Sequence, residues 1–305
     1  SLLAAGRLLQ FFGSPRYSPT VTLTYRNPRT ALGPPHTCMI LSLLSLYSDV
    51  VDHHRRGGMS QSVKLIIFDK DGTLVDFHSM WIPWARTTVG LVETHSGLEC
   101  GHHVYKTLGV CPLTEKVSMG SLAEKTLLGI REDVSKTLQT IGVHKERADE
   151  ICAIAVPEAV SGGVTRPVCD LPPIFESLAT QGVRFAVCTA DSRRATMQQM
   201  HALGIAQYMD LIVCGNDEGI IPKPSPHCAI QICKRMGVDL SEALMVGDTV
   251  ADVKMGKVAG LRASVAVLSG IGNRDTLGEY SDFFLEDVSE LPLLVERLNA
   301  DMKRG

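Results

Sequence analysis

The sequence predicts an α/β fold: a doubly wound parallel sheet with an all-helical module inserted after its first strand. Short apolar runs, mostly β-branched or aliphatic, recur at Val63–Phe68, Val183–Cys188, Leu211–Cys214, Ala243–Val246 and Ser264–Leu268. Strands buried on both faces read this way. Helical patterns separate them at Pro172–Thr180, Arg193–Leu203, Ser225–Met236 and Ala251–Ala259, and strand–helix alternation implies parallel strands with helices on both faces. Residues 77–164 interrupt the alternation. They read as helices around Ser79–Glu93, Ser121–Thr140 and Lys145–Val160, without strong strand runs.

The chain of 305 residues has room for one large α/β domain and a smaller module. It divides into an N-terminal extension (1–61), a core (62–76 and 165–305) and the helical insertion (77–164). The extension has no Asp or Glu before Asp49, while Arg7, Arg16, Arg26 and Arg29 are all basic. Acid-poor, Arg- and Ser-containing leaders occur as organellar transit peptides. The alternatives are a poorly ordered extension without a role, or a start at Met59, just before the first strand. The first reading places the protein in mitochondria, the others in the cytoplasm.

Hydrophobic residues at 45% and charged residues at 21% suit a soluble protein with a filled core. A net charge of −3 argues against a nucleic-acid partner, which usually calls for a basic excess. Nine cysteines form no CxxC pair, so reduced buried thiols fit better than a disulfide framework or a zinc site. The apolar run Met39–Tyr47 is far below the roughly 20 residues of a membrane span. The oligomeric state is not set by the sequence.

The acidic residues fall where the strands end. Asp69 and Asp71 directly follow the first strand in FDKDGT, and doubly wound sheets bind ligands beyond the carboxyl ends of their strands. Two carboxylates crowded there repel unless a cation sits between them. Gly72 lets the backbone turn away without a Cβ clash, and Thr73 completes the motif. Taken alone, the stretch also reads as a solvated turn or a helix cap. Thr189 ends the second run with a hydroxyl that can bind a phosphate oxygen or cap a helix. Lys223 stands between prolines in IPKPSP, which stiffen its backbone; alone it reads as a surface lysine. Asp248 follows Ala243–Val246, with Asp252 one helical turn later. Together they give carboxylates, a lysine and a hydroxyl, each just after a strand. Hard oxygen ligands with open positions suit Mg²⁺, which binds substrate phosphate. Lysine and metal would offset the charge of a phosphoryl group in flight, and a carboxylate can attack phosphorus.

In order and spacing, FDKDGT, the strand-end Thr189, Lys223 in KPSP, and GDTVAD resemble the four motifs of the haloacid dehalogenase-like hydrolases, across about residues 62–290. AGLRA and the tail SDFFLEDVSEL look like the phosphoglycolate-phosphatase-like branch. The resemblance implies Asp69 as nucleophile and metal ligand. It implies Asp71 as general acid/base, with its backbone carbonyl on Mg²⁺. Thr189 and Lys223 would hold the phosphoryl group, Asp248 would ligate the metal, and Asp252 would support Lys223 or the metal shell. Gly72 and Thr73 support the loop, and residues 77–164 become a mobile cap. Two positions depart from the family pattern: Ala190 where Asn is frequent, and Pro222 where Gly is common.

Asp71 favours phosphoester chemistry, because relatives that cleave carbon–halogen or phosphonate bonds lack that acid. Lys106, Lys116 and Lys125 accordingly read as surface lysines. The expected activity is Mg²⁺-dependent hydrolysis of a small phosphorylated substrate, phosphoglycolate-like or a sugar phosphate, through an aspartyl-phosphate. A sugar-phosphate mutase and a non-catalytic binding protein are the alternatives. In VDFHSMWIPWAR, His78 and Arg86 are candidates for contacting the leaving group, while Trp81 and Trp84, three apart, read as packing the insertion's own core.

Overall fold

The computed structural model describes residues 62–118, 120–156 and 165–300. The extension over 1–61, with its transit-peptide reading, lies outside the described residues. Six strands form one all-parallel sheet in the order β3-β2-β1-β4-β5-β6. They are β1 (Leu65–Phe68), β2 (Arg184–Cys188), β3 (Met209–Val213), β4 (Ala243–Gly247), β5 (Ala263–Val267) and β6 (Phe283–Leu285). β1 is central, with Phe68 in register with Val187 of β2 on one side and Val246 of β4 on the other. The chain therefore fills one half of the sheet with β2 and β3, then crosses to β4. That reversal opens a crevice between the carboxyl ends of β1 and β4, the usual ligand seat of such sheets.

β1 is apolar throughout because both of its faces are covered. Successive side chains alternate between faces. Ile66 and Phe68 join a core with Phe175, Leu178, Val246 and Leu291, while Leu65 and Ile67 join one with Ile232, Met245 and Met255. The Phe68 ring lies 5.4 Å from that of Phe175, which meets Phe185 edge-on at 4.9 Å.

The inserted helices are α1 (Phe77–Ser96), α2 (Gly101–Leu108), α3 (Ser121–Glu124), α4 (Leu127–Thr140) and α5 (Lys145–Ala155). The core helices are α6 (Leu171–Thr180), α7 (Arg193–Ala202), α8 (His227–Met236), α9 (Val250–Ala259), α10 (Arg274–Leu277) and α11 (Leu291–Ala300). α1 begins where Asp76 accepts a hydrogen bond from Ser79 N at 2.7 Å, and it ends at Gly97, which adopts the left-handed conformation with φ 69°. The outgoing and returning chains are paired, Asp76 N donating to Arg166 O at 2.8 Å and Val168 N to Leu74 O at 3.1 Å. α5 packs on α4 and on α1, so the insertion has its own buried interior, including Trp84, Val134, Leu138 and Ile151.

One expected helix is corrected. Ser121–Thr140 is two helices, because Thr126 takes an extended backbone and its side chain caps α4 by accepting from Gly129 N. The helix expected to reach Val160 runs to Ala155, and 157–164 lie outside the described residues. α2, α10, α11 and β6 were not among the predicted elements. The eight described cysteines are all free. No helix among the described residues is long and apolar enough to cross a membrane.

Candidate active site

Each strand that ends at the crevice delivers a side chain to it. Asp69 follows β1 and stays pinned to the sheet, its N–H donating to Val246 O at 2.8 Å. Thr189 follows β2 and is tied to β3 through Val213 O at 3.0 Å. Asp248 follows β4. Asp252 is the third residue of α9, where it forms a capping box with Thr249. The carboxylates of Asp69, Asp248 and Asp252 offer oxygens that all lie within 4.8 Å of one another, and all three residues are buried.

Lys223 binds this group together. Its Nζ donates to Asp69 Oδ1 at 2.5 Å, to Asp252 Oδ1 at 2.6 Å and to Cys188 O at 3.1 Å. The other oxygen of Asp252 accepts from Thr249 N and Oγ1, so this carboxylate is committed to positioning Lys223 and starting α9. Asp248 is held by Thr73 Oγ1 at 3.2 Å and by Ile271 N at 3.0 Å.

The loop after β1 must pass close to Asp248. Gly72 has φ 85°, a left-handed conformation that disfavours side chains. A Cβ there would stand 2.3 Å from Asp248 Oδ2, and one at Gly270 would stand 1.9 Å from the same atom. Both positions require glycine, so the carboxylate sits in a fitted cradle.

A second charged group was missed by the sequence reading. Lys70, fully buried, donates to Asp71 Oδ1 at 2.8 Å and to Gln199 Oε1 at 2.5 Å, and its Nζ lies 3.1 Å from Asp191 Oδ2. The signal was present: a lysine between two acids, on a strand end too apolar to leave it in water. Trp81 is buried beside the cavity, and its indole N–H has no hydrogen-bond partner among the described residues.

Five carboxylates (Asp69, Asp71, Asp191, Asp248 and Asp252) thus face two lysines. Burial, reinforced by Asp252 and Asp71 and opposed by Lys223, pushes Asp69 up to about 7. Burial raises Asp71 as well, against Lys70 and with Asp191, and raises Asp248 further, helped by Asp69 and Asp252. Burial would lower Lys223, but the Asp252 and Asp69 carboxylates outweigh it and hold the lysine charged. The donor set is all hard oxygen and carries more negative charge than its lysines neutralise, which fits a hard divalent cation.

Asp69, Asp71, Thr189 and Lys223 line a cavity of about 250 Å³ between sheet and insertion, closed on the far side by Phe77, Trp81, Leu122 and Leu127. Asp248 and Asp252 are not in its lining but join it through the acid cluster with Asp69 and, for Asp252, through Lys223. The eight core residues singled out in the sequence therefore converge. His78 and Arg86 do not line the cavity; Arg86 is exposed and paired with Glu115. Lys125 is exposed, as expected, and also borders the cavity, its Nζ bonded to Asp133 at 2.6 Å. Trp81 both packs edge-on against Trp84, at 5.3 Å, and walls the cavity.

A parallel sheet with this strand order, a helical insertion after β1 and acids at the strand ends define a class. A family model described as haloacid dehalogenase-like hydrolase matches residues 63–260, and the chain belongs to that family. It is 31% identical over 239 residues to a phosphoglycolate phosphatase of Aquifex aeolicus, covering 77% of this chain and 97% of the relative. It is 24% identical over 246 residues to the N-acetylmuramic acid 6-phosphate phosphatase of Pseudomonas aeruginosa, covering 78% and 97%. A solved HAD phosphatase from Thermococcus onnurineus shares the fold with a TM-score of 0.52 at 18% identity, over 76% of this chain and 98% of that one.

Proposed function

We propose that the protein is a phosphatase that hydrolyses monoesters of small phosphorylated metabolites, phosphoglycolate-like or sugar phosphates, through an aspartyl-phosphate on Asp69. The reading rests on one observation above all: Asp69, Asp71, Thr189 and Lys223 share one cavity although they come from two separate strand ends and a distant loop. The phosphatase names of the relatives support the same class of reaction.

In this reading Lys223 and the Thr189 hydroxyl hold phosphoryl oxygens. An oxygen of Asp69 attacks phosphorus; the new O–P bond forms as the ester P–O bond breaks, and Asp71 gives its proton to the departing alkoxide. Burial raises the pKa of Asp71, which favours its holding a proton for the leaving group. Water then attacks phosphorus, Asp71 takes a proton from it, and the Asp69–phosphate bond breaks. Asp252 acts through Lys223, aligning the ammonium with Asp69. Asp69 and Asp248, with the backbone carbonyl of Asp71, would hold Mg²⁺. When bound, Mg²⁺ supplies positive charge against the phosphoryl oxygens. The inserted helices between Phe77 and Ala155 would cover the cavity as a cap.

Release of orthophosphate from 4-nitrophenyl phosphate and from a panel of sugar phosphates, with chelator and with Mg²⁺, tests the proposal. The expected result is release that depends on Mg²⁺ and is inhibited by Ca²⁺, whose looser coordination misplaces the attacking carboxylate. Undiminished release in chelator would refute the metal assignment. Conversion of glucose 1-phosphate into glucose 6-phosphate without net release would make the enzyme a mutase.

A further inference from the structure

A second cavity, of about 540 Å³, adjoins the first; Ala123, Lys125, Lys223, Thr249 and Ala251 belong to the walls of both. The two differ in charge. The first carries Asp69, Asp71 and Asp191 in its lining. Among the described residues the second is lined by three lysines, Lys125, Lys223 and Lys254, and by no Asp or Glu, in a chain whose net charge is −3. Its remaining polar lining includes Ser118, Asn273 and Thr276.

The three lysines are not equivalent. Lys223 is bound to Asp69 and Asp252, and Lys125 to Asp133. Lys254 forms no ion pair among the described residues; its Nζ stands over the Tyr280 ring, 5.0 Å from the centroid. It is half-buried and shares one face of α9 with Val250 and Ala251, all three lining the second cavity. A positioned ammonium without a carboxylate keeps its charge for an anion arriving from solution.

We propose that the second cavity seats the leaving group and selects an acidic one. The substrate is then an organic phosphate whose alcohol part carries a carboxylate or a second phosphate, bound by Lys254 with Lys125 at the junction. This deepens the phosphatase reading and rests on it. Lys223 stands on the common wall, so a phosphoryl group held there can direct the rest of the molecule toward Lys254. Lys254 lines the second cavity and not the first.

The test is a selectivity ratio. kcat/KM is measured for esters with acidic leaving groups (2-phosphoglycolate and 3-phosphoglycerate for carboxylate, fructose 1,6-bisphosphate for phosphate) and divided by that for 4-nitrophenyl phosphate. Lys254→Met, which removes the ammonium but keeps an unbranched side chain of similar length, should lower the ratio about tenfold, the worth of one charge-assisted hydrogen bond, mainly through KM. Lys254→Glu should lower it further. The arm that falls more identifies the acid. A ratio unchanged within about twofold overturns the proposal, whether both activities fall together, as for general steering or lost stability, or neither falls. If the unmodified protein hydrolyses no phosphoester at all, the phosphatase reading itself has failed.

Discussion

The carboxylates of the cap and those of the crevice sit in opposite electrostatic surroundings. In the cap, Asp149 accepts from Lys145 Nζ at 2.7 Å and Ser135 Oγ at 2.6 Å, and this pairing lowers its pKa. Partial burial would raise Asp133, but Lys125 and Ser121, each bonded at 2.6 Å, bring it down. At the crevice, burial dominates and Asp69, Asp71 and Asp248 are all raised. Cap acids are complete with their partners and serve the fold. Crevice acids outnumber their lysines, an arrangement that costs stability and makes sense as chemistry.

The largest break in this comparison comes from Asp69→Asn. Turnover should fall on the order of 10⁴-fold or more, while the far-UV circular dichroism spectrum stays that of the parent. Asp71→Asn should be milder, about 10²–10⁴-fold on alkyl phosphates. In single-turnover phosphorylation, aryl phosphates with good leaving groups should lose less. Equal losses for both would remove Asp71 from the acid role.

Stability against pH sharpens the same contrast. Asp69 keeps its proton in the folded chain up to about 7, whereas the unfolded carboxyl releases it near 3.8. Between those values the folded state binds the extra proton, so this group's contribution falls as pH rises. Asp133 and Asp149, with lowered pKa values, stabilise above the unfolded value, and that contribution is lost as pH falls. In chelator, Tm should therefore decline from about pH 5 to about pH 8, and Mg²⁺ should restore it most at the upper end. A chelated protein whose Tm climbs over that range would contradict the crowding of acids. The smallest effect belongs to Asp149→Asn: the exposed pair with Lys145 should cost Tm no more than about 2 °C and leave turnover unaltered.

Asp69, Thr189 and Asp248 were legible because each follows a short apolar run, and strand ends of a parallel sheet point to one crevice; Lys223, in the loop between β3 and α8, was marked instead by its flanking prolines. FDKDGT, Thr189 and GDTVAD carried that information locally. Lys70 was harder, since its partners Asp191 and Gln199 come from beyond the next strand and only tertiary packing brings them together. His78 and Arg86 were chosen for closeness in sequence to Asp69. Arg86, however, lies nine residues into α1, about 14 Å along its axis at 1.5 Å per residue, and closeness along the chain does not persist along a helix. Lys125 reaches the cavity because Thr126 breaks the helix expected there, a capping event that periodicity alone does not reveal. The selectivity of the cap was thus the least legible part, being built from residues distant in sequence.

The central claim is that Asp69 carries the phosphoryl group. Asp71→Asn protein, in which hydrolysis of the intermediate should be slowed, can be acid-quenched during turnover of 4-nitrophenyl phosphate with Mg²⁺ and mapped by peptide mass spectrometry. The account predicts phosphorylation of the peptide containing Asp69, rising with the burst of nitrophenol and absent when Asp69→Asn is added. A nitrophenol burst with Asp69 unmodified, or a phosphoryl group on another residue, would contradict it.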